Sequence, residues 1–246
     1  MAVYVLVHGA WHGGWCWRKV ANLLRSSGDE VYTPTLTGLG DRHHLLNREV
    51  NLDTHILDVV SLLDYEDLEN VILVGHSYAG MVITGVADRA PSRLKHLVYL
   101  DAFLPDDGQS ISDLHPGFVA KLRQIANERG EGWLVPFPEE VVNPRGGPLY
   151  GISDANVLRW LKERLKPHPL ACFLQKVHIS NTEALKLTRS YIWCFVRQGV
   201  RAENWGFFRE ARKARELGWQ VHEVESDHDV MVTAPGELSS LLSKIR

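Results

Sequence analysis

The stretch VILVGHSYAG at residues 71–80 constrains this chain more than any other. An apolar, β-prone run meets a serine among small residues and passes directly into a helix-forming segment. Strand, Gly-x-Ser-x-small-Gly, helix is the pattern of a nucleophile elbow. The turn is sharp and the backbone at the serine is strained, so its neighbours must be small, here Gly75, Ala79 and Gly80. Such a turn presents Ser77 at the carboxyl end of a strand and the N-terminus of a helix. Free N–H groups and the helix dipole favour developing negative charge there. A serine that merely caps a helix is the plainer alternative. The preceding strand and the three small residues favour the elbow.

The surrounding pattern is that of a parallel sheet. Residues 3–7, 71–74 and 97–100 are continuous apolar runs, as expected of strands buried on both faces. Trp17, Val20, Ala21, Leu23 and Leu24 recur at helical spacing, and Gly28 ends that helix. EVYTPTL reads as a short second strand and TGLGDRHH as the loop after it. A helix follows over residues 52–65 with Ile56, Val59, Val60 and Leu63 on one face, then the strand of the elbow and a helix over residues 78–89. Alternation fails over residues 105–187, where Pro, Gly and Trp are frequent and only residues 118–127 and 154–165 read as helices. It resumes with a strand at 191–196, a helix at 205–217, a strand at 220–224 and a helix from Pro235. The expected architecture is α/β, a mostly parallel doubly wound sheet with helices on both faces. Residues 1–104 and 188–246 form the core, and 105–187 form a small, mainly helical lid over the sheet's carboxyl edge, where open α/β sheets place ligands.

Composition narrows the setting. With 246 residues, 45% hydrophobic and 23% charged, the chain can bury one substantial core. A net charge of −3 with interspersed signs points away from nucleic acid and from a basic membrane surface. No apolar run approaches the roughly 20 residues of a membrane span. The opening MAVYVLVHGAWHGG has no basic flank and enters a strand at once, so no signal peptide is expected. Cys16, Cys172 and Cys194 lack paired metal spacing and read as reduced thiols of a cytoplasmic protein.

A serine at its ordinary pKa needs a positioned base. In a sheet of this kind the base belongs on the loop after the last strand, where VESDHDVM supplies His228. His222, alternating with Val221 and Val224, reads as a strand residue instead. An oxyanion site needs two backbone donors. Tyr78, just after the serine, offers one, and Ala10 in the loop HGAWHGGWCW offers the other. That loop has neither the Gly-Lys-Ser/Thr ending nor the Gly-x-Gly-x-x-Gly spacing of a phosphate loop. His8 and His12 within it are expected to order the loop.

The segments VLVHGAWHGGWCW, VILVGHSYAGMV, LDAFLPDDG and GWQVHEVESDHDVMVTAPGELSSLL resemble the α/β-hydrolase superfamily, and within it the small plant methyl-esterase and hydroxynitrile-lyase type with its bacterial esterase relatives. The resemblance spans the sheet on both sides of residues 105–187. It implies cofactor-free hydrolysis of esters or related acyl compounds through a Ser-His-Asp triad, with Ser77 as nucleophile, His228 as base, and Ala10 and Tyr78 as oxyanion donors. Two departures argue against lyase activity. The lyases carry Thr where this chain has Gly9, and a cyanide-stabilising Lys where it has Asp229.

The family's usual acid follows the penultimate strand, yet YIWCFVRQGVRAEN holds no Asp there. Asp101, at the end of LVYLDAFLP, is the first candidate for the role, and Glu203 the alternative. A Ser-His dyad is a third. Trp11, Phe103 and Trp133 are expected to line the substrate pocket, with Tyr78 and Phe137 as further aromatic candidates. No metal is expected, either at Asp227 and Asp229 or at Asp41, His43 and His44, and no cofactor. The reading is a serine esterase acting on a small carboxylester, or on a carbamate, lactone or amide. A ligand-binding protein on the same fold with a weak or silent triad is the alternative. The oligomeric state stays open, a homodimer included.

Overall fold

The computed structural model describes residues 1–142, 152, 154–195 and 207–245. Its strands are β1 (Val3–Val7), β2 (Glu30–Tyr32), β3 (Val71–His76), β4 (Leu94–Leu100), β5 (Leu134–Val135), β6 (His168–Pro169), β7 (Thr188–Phe195) and β8 (Gln220–Glu225). Six of them form one sheet in the order β2-β1-β3-β4-β7-β8, every pair parallel. The order reverses between β1 and β3, a switch point whose carboxyl side is the usual ligand crevice of such sheets.

The helices in chain order are α1 (Arg18–Ser26), α2 (Leu52–Tyr65), α3 (Ala79–Arg89), α4 (Ile111–Leu114), α5 (Pro116–Arg129), α6 (Glu139–Val142), α7 (Ala155–Lys162), α8 (Ala171–Leu174), α9 (Thr182–Leu185), α10 (Phe208–Glu216), α11 (Val230–Thr233) and α12 (Pro235–Ile245). Alternation along the strands sorts the core into two layers. Val5, Val7, Leu73, Leu97 and Tyr99 pack with α2 and α3 through Ile56, Val59, Ile83 and Val86. Tyr4, Leu6, Ile72, Val74, Val98 and Leu100 pack with α1 and α12 through Val20, Leu24, Leu238 and Leu242. Strands covered on both sides carry apolar residues at every position, which explains the unbroken runs in the sequence.

Local signals mark the element ends. Gly28 takes φ +84 just after α1, with Gly28 N–H on the Arg25 carbonyl and Asp29 N–H on that of Leu24. Asn51 and Thr54 form a reciprocal capping box at the start of α2.

Several expectations need correction. Leu23 is 42% exposed, because the buried face of α1 runs Val20, Ala21 and Leu24 after Trp17. β4 starts at Leu94 and β7 at Thr188, each three residues early. The loop TGLGDRHH carries a 3-10 turn over Gly40–Leu45. Within residues 105–187, β5 and β6 pair antiparallel. A two-residue strand leaves no alternation to read. The first residues of the helix expected at 205–217 lie outside the described residues, and α10 is its described part. Among the described residues no helix is long and apolar enough to cross a membrane.

Candidate active site

The carboxyl ends of β1, β3, β4 and β8 bring the sequence candidates together. At the elbow between β3 and α3, Ser77 has φ +55, a left-handed conformation of the kind that costs a non-glycine residue about 1–3 kcal/mol. Its backbone is clamped: Ser77 N–H donates to the Leu100 carbonyl at 3.2 Å, while the Ser77 carbonyl accepts from Gly80 at 3.1 Å and Phe103 at 3.2 Å. The small residues around it follow from space. A Cβ on Gly75 would lie 2.7 Å from the Ala79 carbonyl oxygen, and one on Gly9 would lie 3.0 Å from Ser77 Cβ. On Gly80 it would stand 2.0 Å from the Phe103 carbonyl oxygen, which is backbone and cannot swing away. Gly80→Ala is therefore expected to destabilise the fold by roughly 1–3 kcal/mol. A thermal melt checks this, and an unchanged midpoint would refute the clamp.

His228 stands in the loop between β8 and α11, its Nδ1 2.6 Å from Asp101 Oδ2. Register explains the meeting. His76 pairs with Leu100 across β3 and β4, so the next residues, Ser77 and Asp101, leave the sheet side by side. Asp101 is buried with φ +42; its N–H donates to the Ile192 carbonyl at 2.7 Å, and Cys194 N–H donates to Oδ1 at 3.2 Å. Burial raises the Asp101 pKa, opposed by the hydrogen bond and charge of His228. Burial alone would lower the pKa of His228, but the hydrogen bond and charge of Asp101, with Asp229 and Asp227, carry it above the ordinary value. With Nδ1–H on the carboxylate, Nε2 is the basic nitrogen. Phe207 stacks on the His228 ring at 5.4 Å and meets Phe103 edge-on at 4.9 Å. Glu203 lies outside the described residues.

On the other side of Ser77, the loop after β1 is held by its own histidines. Leu36 N–H donates to His8 Nε2 at 3.0 Å, so His8 Nδ1 carries the proton and donates to the Gly9 carbonyl at 2.8 Å. Burial lowers the His8 pKa to about 3, keeping this neutral form. In a trans peptide N–H points opposite to C=O, so a grip on the Gly9 carbonyl also aims the Ala10 amide. Neither the Ala10 nor the Tyr78 amide is engaged by another described residue. His12 Nδ1–H donates to the Ala10 carbonyl at 2.7 Å. His12 Nε2 lies 3.4 Å from Asp229 Oδ2.

Among the pocket candidates, Trp11 has φ +64 and anchors its indole N–H on the Val135 carbonyl at 3.0 Å. Its ring meets Phe137 and Phe173, each at 5.7 Å. Phe103 is tied directly to the elbow, its N–H on the Ser77 carbonyl at 3.2 Å. Trp133 is engaged elsewhere, under the Arg48 guanidinium at 5.1 Å.

Sequence reading missed two groups. His76 Nε2–H donates to the His228 carbonyl at 2.9 Å, tying the residue before Ser77 to the loop after β8. Asp229, the residue after His228, is fully buried and pairs with His12. The second group is His55, His168 and Cys172, whose ligand atoms lie within 4.8 Å of one another, an arrangement that could hold a metal ion. His55 Nε2–H donates to the Thr37 carbonyl at 2.9 Å, and the Tyr78 hydroxyl donates to Nδ1 at 2.9 Å. Burial pushes the Cys172 thiol up to about 12 and His55 down to about 4, so these two stand neutral behind Tyr78, while His168 Nδ1 accepts from Trp11 N–H at 3.4 Å. His55 falls on the apolar face of α2 with Leu52, Ile56 and Val59, the one sequence signal that marked it as buried.

Comparison with known proteins bears on the family and the fold. Residues 4–241 match the model of a family described as "Alpha/beta hydrolase family". The chain is 39% identical over 254 residues to a carbendazim hydrolyzing esterase of Nocardioides sp. (strain SG-4G), covering 100% of both chains. It is 28% identical to methylesterase 9 of Arabidopsis thaliana, over 100% of this chain and 98% of that one. Among solved structures, an extracellular alpha/beta-hydrolase from a Paenibacillus species superposes with a TM-score of 0.81 at 27% identity, covering 99% of this chain and 98% of that one.

Proposed function

This chain belongs to the alpha/beta hydrolase family and hydrolyses esters, and we propose that Ser77, His228 and Asp101 carry the reaction. Ser77 Oγ attacks the acyl carbon while His228 Nε2 takes its proton. Asp101 holds the Nδ1–H tautomer and stabilises the imidazolium that forms. The amides of Ala10 and Tyr78 stabilise the tetrahedral oxyanion. Collapse expels the alcohol, which takes its proton from His228, and water then attacks the acyl-enzyme by the same route in reverse. The reaction as written draws on side chains, backbone amides and water alone.

The observation that supports this most is the 2.6 Å contact of His228 Nδ1 with Asp101 Oδ2 beside a serine of positive φ. Trp11 and Phe103 form the aromatic walls of the pocket, and residues 105–187 act as its lid. Free, buried Cys16, Cys172 and Cys194 support a cytoplasmic location. The substrate is a small ester or carbamate. Carbendazim is the substrate named for the Nocardioides relative, and the Arabidopsis relative is named for methyl esters.

The test is steady-state hydrolysis of carbendazim, methyl esters of aromatic acids and p-nitrophenyl acetate between pH 5 and pH 9, with fluorophosphonate labelling alongside. Only neutral His228 can accept the serine proton, and its folded pKa lies above the ordinary 6.5. Activity should therefore be full at high pH and fall as pH drops through a value above 6.5. A protein that hydrolyses none of these and takes no label would refute the assignment.

A further inference from the structure

We infer that His12 and Asp229 are a positioning pair, a buried bridge that locks the oxyanion loop after β1 to the base-bearing loop after β8. The inference rests on the assignment of Ala10, Ser77 and His228 proposed above. His12 is 1% exposed and Asp229 fully buried. A carbonyl and a carboxylate can only accept, and these are the partners of the two His12 ring nitrogens, at 2.7 Å and 3.4 Å. Both ring nitrogens therefore face acceptors, one on the peptide of Ala10 and one on the carboxylate of the residue after His228. Burying the Asp229 carboxylate carries a desolvation penalty of several kcal/mol, and well-packed apolar side chains are often at least as stabilising. Packing alone is thus a poor account of the pair. Its placement offers a better one.

The bridge closes a ring of contacts around the reacting atoms. His8 holds the Gly9 carbonyl and His12 holds the next one, that of Ala10, so both peptides flanking the Ala10 residue are fixed. Asp229 is held in turn, its N–H on Asp227 Oδ1 at 2.9 Å, and Thr233 Oγ1 braces the same oxygen at 3.0 Å. His76, whose ring packs at 4.4 Å on that of His228 and meets that of His12 edge-on at 6.3 Å, grips the His228 carbonyl. Oxyanion donor, nucleophile and base come from three separate loops, those after β1, β3 and β8. His12–Asp229 joins the first to the third, and His76 joins the second to the third. A misplacement of about 1 Å in such a constellation costs about 100-fold in rate.

The charge of Asp229 has a second consequence. The groups facing His228 are Asp101 at the end of β4, Asp227 and Asp229 on its own loop, and His76 at the end of β3, while Glu210 on α10 acts through Asp101. Removing the Asp229 carboxylate withdraws one of the negative charges that favour imidazolium, so the acid limb of kcat/KM should move to lower pH. A merely structural residue would leave that limb in place.

The experiment compares wild type with Asp229→Asn, His12→Gln and the double variant, reading kcat, KM, the acid limb and the melting midpoint. The expected result is a 10- to 100-fold fall in kcat with KM within about threefold. The limb of Asp229→Asn should shift downward, and the double variant should be no slower than the worse single, as befits one coupled unit. The double variant leaves no unpaired buried charge, so it serves if a single variant fails to fold. A folded double variant with wild-type kcat and acid limb would overturn the inference. Fluorophosphonate labelling of wild type is read first: an unlabelled wild type removes the underlying assignment, whereas a labelled one with unaffected variants removes only the positioning role.

Discussion

Ser77→Ala is expected to lower kcat by roughly five to six orders of magnitude, and to abolish fluorophosphonate labelling, while leaving the protein folded. The physical basis is that a triad works as a unit. Without the hydroxyl, His228 has no proton to take, and only the oxyanion amides and substrate binding remain. The fold should survive because the elbow is held by backbone, through the Ser77 N–H on Leu100 and the Ser77 carbonyl between Gly80 and Phe103. Intact-mass analysis after exposure to the probe should show one adduct on wild type and none on the variant, with melting midpoints within a few degrees. An adduct retained on Ser77→Ala would place the reactive nucleophile elsewhere.

Asp101→Asn should cost about 10³–10⁴ in kcat, the size seen when a triad acid becomes its amide. The reason is written in the hydrogen bonds around it. Both carboxylate oxygens face donors, Oδ1 the Cys194 N–H and Oδ2 the His228 Nδ1. An amide offers one acceptor, so it must leave either Cys194 unsatisfied or His228 facing an NH₂ group. The second outcome favours the wrong imidazole tautomer. Asparagine tolerates the left-handed backbone that Asp101 adopts at φ +42, so the substitution probes chemistry rather than conformation. Loss of the negative charge should also move the acid limb of kcat/KM to lower pH. Glu203→Gln is the control, expected to stay within about threefold of wild type. Comparable losses in both variants would undo the choice of Asp101, and a loss confined to Glu203→Gln would reverse it.

The elements legible in the sequence were those governed by nearest neighbours. The strand at residues 71–74 was legible because each of its residues is covered by a helical layer on one side or the other of the sheet. Leu23 misled for the complementary reason. Helical spacing identifies a face only to within a residue, and Arg18–Ser26 turns Leu23 to water while Val20 and Leu24 go inward. The pair of short strands around Trp133 gave no signal at all, since two residues carry no periodicity.

What the sequence determined by itself was the chemistry available. A serine wedged among Gly75, Ala79 and Gly80 after an apolar strand implies a strained elbow wherever it occurs, because steric limits on a turn act over a few residues. A histidine after the last strand follows from topology, and topology follows from the alternation of strand and helix. Only the tertiary structure decided which carboxylate that histidine meets. Asp101 and His228 are separated by 127 positions, and His12 and Asp229 by 217. The register of β3 on β4 and the packing of the β1 and β8 loops over the sheet edge bring them within hydrogen-bond reach. Register and loop direction are set by the burial of whole faces, a sum over the entire core, and no short stretch of residues carries that sum.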